Sequence, residues 1–136
     1  MDNVTLEDLR KYPELMRDIR AISMEIEALY VPIKAASMTS DGSARSTTPG
    51  DPTVSSYYKR EERRKKLEAH RAELMEITER IERFVDTTDD RKVAAIMRIH
   101  FLAGKSWATT CYELFGYFDK DVCRHAVKRY FEGRKT

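Results

Sequence analysis

The chain has 136 residues, of which 41% are hydrophobic and 35% charged, with 5 glycines and 4 prolines. This composition is typical of a helix-rich protein with one domain and an appendage, and no stretch approaches the roughly 18 apolar residues of a membrane span. The start, MDNVTLEDLRKYPEL, is acidic where a signal peptide is basic and apolar, and two cysteines are too few for a disulfide framework. We therefore expect a cytoplasmic protein.

Positive charge is concentrated in two stretches, although the net charge is only +2. Residues 57–71 hold seven basic and three acidic side chains, and residues 119–136 hold six basic and three acidic ones. Each stretch is either the solvated face of a helix or a contact for phosphate, and charge alone leaves both interpretations open.

Two long helices are predicted in the first 86 residues. Thr5 followed by acids is a helix start, and Pro13 predicts a break, so we expect a short turn at 5–11 and a helix over 12–36. A second helix is predicted over 53–84. Both carry apolar residues at alternating steps of three and four, which predicts a coiled-coil-like antiparallel hairpin.

The segment between these helices, residues 37–53, has a different composition. Eight of its 17 residues are serine or threonine, and it offers almost nothing apolar to bury. A loop of this length inside a compact domain is usually functional or disordered, and we expect disorder. We interpret residues 1–86 as a helical association arm with a disordered loop at 37–53.

Residues 87–136 predict three shorter helices. Asp89 and Asp90 precede a helix that runs to about residue 103, and Ser106 caps the next, over 107–115. Gly116 turns the chain, and Asp119 caps a last helix over about 120–132, which Gly133 is expected to end. The predicted fold class is therefore all-α: the long hairpin followed by a three-helix head.

The last two helices and their glycine turn have the spacing of a helix-turn-helix, in which the final helix enters the major groove. Apolar residues of the final helix fall on one side, while its basic residues fall on the other, as base and phosphate contacts require. The candidate DNA-binding residues are Lys105, Ser106, Lys120, Arg124, His125 and Lys128. An ordinary helical hairpin with a basic face is the competing interpretation.

The string RIHFLAGKSW at 98–107, followed by Glu113, Gly116-Tyr117 and Val122, resembles the C-terminal part of ArpU-like late-operon transcriptional regulators of phages and prophages. The final segment of that family is similar to region four of bacterial sigma factors. The resemblance implies a phage-encoded, sequence-specific DNA-binding regulator in a bacterial host. It also implies that the basic residues of the last helix face the bases, that Trp107 packs, and that RNA polymerase is a candidate partner.

Two other functions stay open from the residues alone. A small terminase-like packaging subunit also combines a helix-turn-helix with helical oligomerisation, and a helical adaptor would bind protein without DNA. One such head has a small footprint, so DNA recognition favours a homo-oligomer, most simply a dimer formed through the hairpin. The expected partners are double-stranded DNA and a second copy, with no membrane.

Enzymatic and metal chemistry are disfavoured. The sequence has no glycine-rich phosphate loop, no histidine pair on one helical turn and no nucleophile with a base. Cys111, Cys123, His100 and His125 lack the close cysteine pair of a zinc site. We expect no catalytic residue, metal or cofactor. The basic run at 59–66 is more simply a solvated helix face balanced by Glu61, Glu62 and Glu68.

Overall fold

The computed structural model describes residues 3–38 and 52–134, and their side chains over 3–30 and 55–134. These parts are helical and contain no strand, which confirms the predicted all-α class. The helices are α1 (Leu6–Met38), α2 (Pro52–Asp86), α3 (Arg91–Met97), α4 (Trp107–Phe115) and α5 (Val122–Arg134), and a π-helical segment (Arg98–Leu102) continues α3. In these parts, no helix combines the length and apolar character needed to cross a membrane. The predicted disordered loop falls mostly on residues 39–51, outside the described residues.

The start of α1 is fixed by local hydrogen bonds. The backbone N–H of Thr5 donates to the Asp8 carboxylate over 3.0 Å, and the backbone N–H of Asp8 donates to the Thr5 hydroxyl over 3.2 Å. Val4 and Leu9 occupy the two positions of a hydrophobic staple around this cap, and both are buried in one cluster. The predicted helix start at Thr5 is confirmed.

The break predicted at Pro13 is wrong, because α1 runs without interruption from Leu6 to Met38. Proline in a helix interior removes one backbone hydrogen bond and costs about 3 kcal/mol. Leu9 and Tyr12 on the adjoining turns are 0% and 6% exposed. Burial of both side chains favours the continuous helix, since each contributes about 1.5–3 kcal/mol and together they offset that cost.

The chain divides into two compact units that do not follow its linear order. Unit 1 consists of Met1–Met16 and Glu76–Thr136, and unit 2 of Arg17–Met75. The first turns of α1 and the end of α2 therefore share a unit with α3, α4 and α5. The functional division predicted between residues 86 and 87 stays a prediction.

All five described α-helices contribute buried residues to the core of unit 1. Leu9 of α1, Ile81 and Val85 of α2, and Ile96 and Met97 at α3 are all fully buried. Cys111 of α4 and Cys123, Val127 and Phe131 of α5 complete this cluster. The Phe84 and Phe131 rings stack with centroids 5.8 Å apart, which joins the end of α2 to α5.

In unit 2, α1 and α2 make polar contacts in antiparallel order. Arg71 donates to the hydroxyl of Ser23 over 3.1 Å, and Arg63 pairs with the carboxylate of Glu25 over 2.8 Å. Ile26 and Leu67 are buried within this unit. The predicted apolar stripes are not buried along their whole length, because Tyr30 of α1 and His70 of α2 are exposed.

The predicted helix over 89–103 changes its hydrogen bonding part way along. Asp90 caps α3 by accepting from the Val93 N–H, and from Arg98 the chain adopts π-helical bonding, with the Ala103 N–H donating to the Arg98 carbonyl. Sequence periodicity does not indicate this change, since it adds about one residue to a single turn. Such segments are frequent at functional sites.

The turns around α4 and α5 agree with the sequence except at the start and at the end of α5. The Ser106 hydroxyl accepts from the Thr109 N–H at the start of α4, and Gly116 ends that helix with φ 86°. The Asp119 carboxylate accepts from the N–H groups of Asp121 and Val122, which begins α5 two residues later than predicted. Gly133 does not end α5, which extends to Arg134, because its backbone is helical rather than left-handed.

Candidate nucleic-acid interface

α5 separates apolar from basic side chains, as the sequence predicts. Cys123, Val127 and Phe131 are buried in the core of unit 1, and they recur every four residues. Arg124 and Lys128 are exposed on another side of the helix, together with His125. The helix is therefore anchored through one stripe and presents basic groups to solvent.

Three of the six candidate residues lie around one small cavity of about 210 Å³. Its lining consists of Leu6, Arg10, Trp107, Arg124, His125, Val127 and Lys128. Leu6 and Arg10 come from the first turns of α1, more than a hundred residues before α5 in the chain. Sequence reasoning missed them, because no local pattern relates an exposed arginine of α1 to the basic side of α5.

Arg124 is held by a carboxylate on the preceding turn. Its guanidinium lies 2.7 Å from Asp121, in an ion pair whose side chains are 55% and 46% exposed. An exposed pair at this spacing contributes less than about 1 kcal/mol. Arg124 can therefore exchange Asp121 for an incoming phosphate or base edge at small cost.

Lys105, Ser106 and Lys120 lie outside the lining of this cavity. The Ser106 hydroxyl is occupied by the cap of α4 and also donates to the Thr109 hydroxyl over 2.9 Å. The backbone of Lys105 is fixed from both sides: its N–H donates to the Ile99 carbonyl, and its own carbonyl accepts from the His100 ring. Lys120 is exposed in the turn before α5. The cavity therefore brings together three of the six predicted residues and not these three.

Trp107 lines the cavity, and its ring packs against two other aromatic rings. Its ring stacks on His100 with centroids 3.5 Å apart and 14° between the planes, and it meets Phe101 edge on. His100 Nδ1 lies 2.7 Å from the Lys105 carbonyl oxygen, so this nitrogen carries the proton and donates. Burial lowers the pKa of His100 below its ordinary value, and the carbonyl contact opposes that shift in part. The expected packing role of Trp107 agrees with this geometry.

The two cysteines lie together in the core between α4 and α5. Cys111 and Cys123 are both fully buried free thiols. Burial raises the pKa of the Cys123 thiol to about 11, and the neighbouring Cys111 thiol adds to the shift. Among the residues that the structure describes, no three histidine, cysteine or acidic side chains lie close enough together to hold a metal ion.

The basic stretch at 59–66 is paired in part with acids. Arg63 contacts Glu25 of α1, and Arg64 contacts Glu61 and Glu68 of its own helix. The Arg64 guanidinium also lies over the Tyr30 ring, 5.6 Å from its centroid. These contacts satisfy two arginines within unit 2 and agree with a helix face that balances its own charge.

A cluster of exposed aromatic rings surrounds the turn between α4 and α5. The Tyr112 and Phe118 rings stack with centroids 4.4 Å apart, and Phe115 and Tyr117 lie 6.5 Å apart. Between 39% and 67% of each of these four residues is exposed. We call this set the turn aromatics. Isolated exposed apolar residues are ordinary, whereas several such residues close together are a candidate contact surface.

The chain matches no model of a known protein family, and no similar characterised protein or solved structure is found for it.

Proposed function

We propose that this protein is a phage-encoded, sequence-specific DNA-binding regulator of transcription, whose α4 and α5 act as a helix-turn-helix with α5 in the major groove. The observation that carries the proposal is the division of α5. Cys123, Val127 and Phe131 anchor it in the core, while Arg124, His125 and Lys128 lie together on the solvent side. Arginine and lysine on one exposed helix face supply the contacts that guanine edges and phosphates require.

The geometry of the turn supports the same proposal. Gly116 adopts a left-handed conformation directly after α4, and the Asp119 cap begins α5 after a short connection. The resemblance of residues 98–130 to ArpU-like regulators supplies the phage setting and the likeness to sigma region four. In this proposal Lys105, Ser106 and Lys120 contact the DNA backbone beside α5, as exposed residues at helix starts do.

The proposal includes self-association, because a single three-helix head would contact only a short stretch of DNA. Unit 2 exposes several large apolar or aromatic side chains: Met24, Tyr30, Tyr57 and Tyr58. A coiled-coil-like arm formed by α1 and α2 would cover such residues in a dimer. Sedimentation of the full chain at micromolar concentration tests this part, and a monomer would contradict it.

The test of the function is selection of DNA by the purified protein from sheared host and prophage DNA, at about 150 mM salt, followed by sequencing. Enrichment of one site upstream of a late operon supports the regulator. Enrichment beside packaging genes, with a ring-sized assembly, supports the packaging subunit instead. Absence of binding even at low salt overturns DNA recognition.

The turn aromatics favour a second candidate function, an adaptor that binds protein. Four exposed rings within residues 112–118 form a contact surface that DNA recognition does not require. Aromatic side chains are enriched in protein interfaces. Replacement of Phe118 by serine separates the two functions, because it should abolish partner capture by an adaptor and leave the DNA affinity of a regulator within about twofold.

A further inference from the structure

The cavity beside α5 joins the N-terminal turns of α1 to the proposed DNA-binding helix. Arg10 of α1 lines it together with Arg124 and Lys128 of α5. All three residues belong to unit 1, so the arrangement is internal to one compact body. α1 was expected to serve association only, and this position gives its first turns a different use.

The charge around the cavity is strongly one-sided. Two arginines and a lysine line it, and none of its lining residues is acidic. Arg10 pairs with Glu7 over 2.8 Å, but these side chains are 59% and 68% exposed, so the pair is weak and exchangeable. Among the described residues, no carboxylate forms an ion pair with Lys128. Arg124 likewise pairs only with the half-exposed Asp121, which lies outside the lining, so the three cations can be shared with an anionic ligand.

The size of the cavity selects among anions. At about 210 Å³ it holds the volume of roughly seven waters, at about 30 Å³ each. Pockets for whole metabolites are larger, about 300–1,000 Å³. A single phosphate group fits, and two arginines are well suited to it, because the guanidinium fork matches phosphate oxygens.

We propose that Arg10 completes a phosphate-binding site with Arg124 and Lys128, through which the first turns of α1 contact the DNA backbone beside α5. This inference rests on the proposed function for the source of the phosphate. The site holds one phosphate group and reads no base, since Arg10 lies on α1 and not on the helix assigned to the groove. Arg10 therefore adds affinity and orientation, not sequence discrimination.

The experiment measures DNA affinity of the full chain against salt concentration, for wild type, Arg10→Gln and the control Arg20→Gln. Arg20 is an exposed arginine of the same helix that lies in unit 2, and it does not line the cavity. Arg10→Gln should weaken binding roughly tenfold for specific and random DNA alike. It should also reduce the slope of log affinity against log salt by about 1. Arg20→Gln should match wild type.

The outcomes separate this inference from the proposed function. If wild type binds DNA and Arg10→Gln keeps its affinity and salt slope, the inference is overturned and the function stands. If wild type binds no DNA, the function is overturned, and the cavity is then probed by titration with inorganic phosphate. Trp107 is the only tryptophan and lines the cavity, so its fluorescence reports occupancy. A response in wild type that Arg10→Gln abolishes supports a site for free phosphate, and no response overturns the inference.

Discussion

The hydroxyl of Tyr12 donates a hydrogen bond of 2.5 Å to the carboxylate of Glu82, across 70 positions of the sequence. It ties the N-terminal turns of α1 to the end of α2 within unit 1. Burial raises the pKa of Tyr12 well above its ordinary range, and the bond to Glu82 raises it further, so the hydroxyl remains a donor at neutral pH. As the pH rises above about 10, where the unfolded tyrosine ionises, the contribution of this bond to stability is progressively lost.

Tyr12→Phe should lower the free energy of unfolding by about 1–2 kcal/mol, because it removes a buried donor to a charged group while Glu82 keeps partial access to water. Urea denaturation measures the change. Tyr58→Phe, at an exposed tyrosine of unit 2, should stay within about 0.5 kcal/mol of wild type. Equal stability of the wild type and Tyr12→Phe would mean that water replaces the bond without loss.

Stability should decline as the pH falls below about 6.5 because of His100. Burial lowers the folded-state pKa of His100, so the unfolded chain takes up the proton first. Stability from the neutral ring is present above the unfolded pKa and is lost as the pH falls toward the folded one. Urea unfolding at pH 7.0 and 5.5 measures the loss, and His100→Phe should reduce it. An unchanged pH dependence in His100→Phe would contradict this role.

Arg124→Ala should weaken binding to the selected DNA site by about 1–3 kcal/mol. A relaxed preference at one base pair would assign Arg124 to a base edge, whereas equal weakening on matched and mutated duplexes would assign it to the phosphate site with Arg10. Fluorescence anisotropy with matched and mutated duplexes measures both effects. Arg129→Ala is the matched control, because Arg129 is exposed on the same helix and does not line the cavity. Wild-type affinity in Arg124→Ala would remove this residue from the interface.

Gly116→Ala should destabilise the protein by about 1–2 kcal/mol, because φ of 86° is the left-handed conformation that an alanine adopts at a cost. Apart from the two adjoining residues, no heavy atom lies within 4 Å of the added Cβ, so the cost is one of backbone conformation alone. Gly133→Ala makes the same change at a helical position with equal space, and should stabilise by up to about 0.5–1 kcal/mol. Thermal unfolding measures both effects: the melting temperature should fall in Gly116→Ala and rise in Gly133→Ala.

The thiols of Cys111 and Cys123 should resist a disulfide reagent at pH 8 while the protein is folded. Both are fully buried, and the raised pKa of Cys123 leaves little thiolate at that pH. Reaction should be at least about 100-fold slower than in urea, where local opening of roughly 3 kcal/mol is no longer needed. Rapid reaction without denaturant would mean that α4 and α5 separate readily.

The parts of the fold that could be predicted are those set by neighbouring residues. Thr5, Asp90 and Ser106 cap helices by bonds to residues three positions on, so their sequence pattern is sufficient. The effect of Pro13 was mispredicted because burial of Leu9 and Tyr12 depends on distant helices. The helix end predicted at Gly133 is wrong, because a glycine ends a helix only where its backbone leaves the helical conformation, and Gly133 stays helical.

For the candidate site too, the sequence predicted what depends on neighbouring residues and missed the contacts between distant segments. The 3.6-residue period places Arg124 and Lys128 outside the buried stripe of α5 that contains Val127, whatever the tertiary packing. The position of Arg10 beside them depends on how α1 returns to unit 1, which no local pattern contains. The stacking of His100 on Trp107 likewise depends on the π-helical segment.

The division of unit 1 between the two ends of the chain has a consequence for biosynthesis. Leu9 leaves the ribosome about 120 residues before Phe131, a member of the same buried cluster. Because translation adds roughly 5–20 residues per second, the apolar side chains of the N-terminal turns lack their C-terminal packing partners for about 6–24 s. During that interval they are exposed to chaperones and proteases, so the yield of this protein in a cell should depend on the speed of translation as well as on the stability of the finished fold.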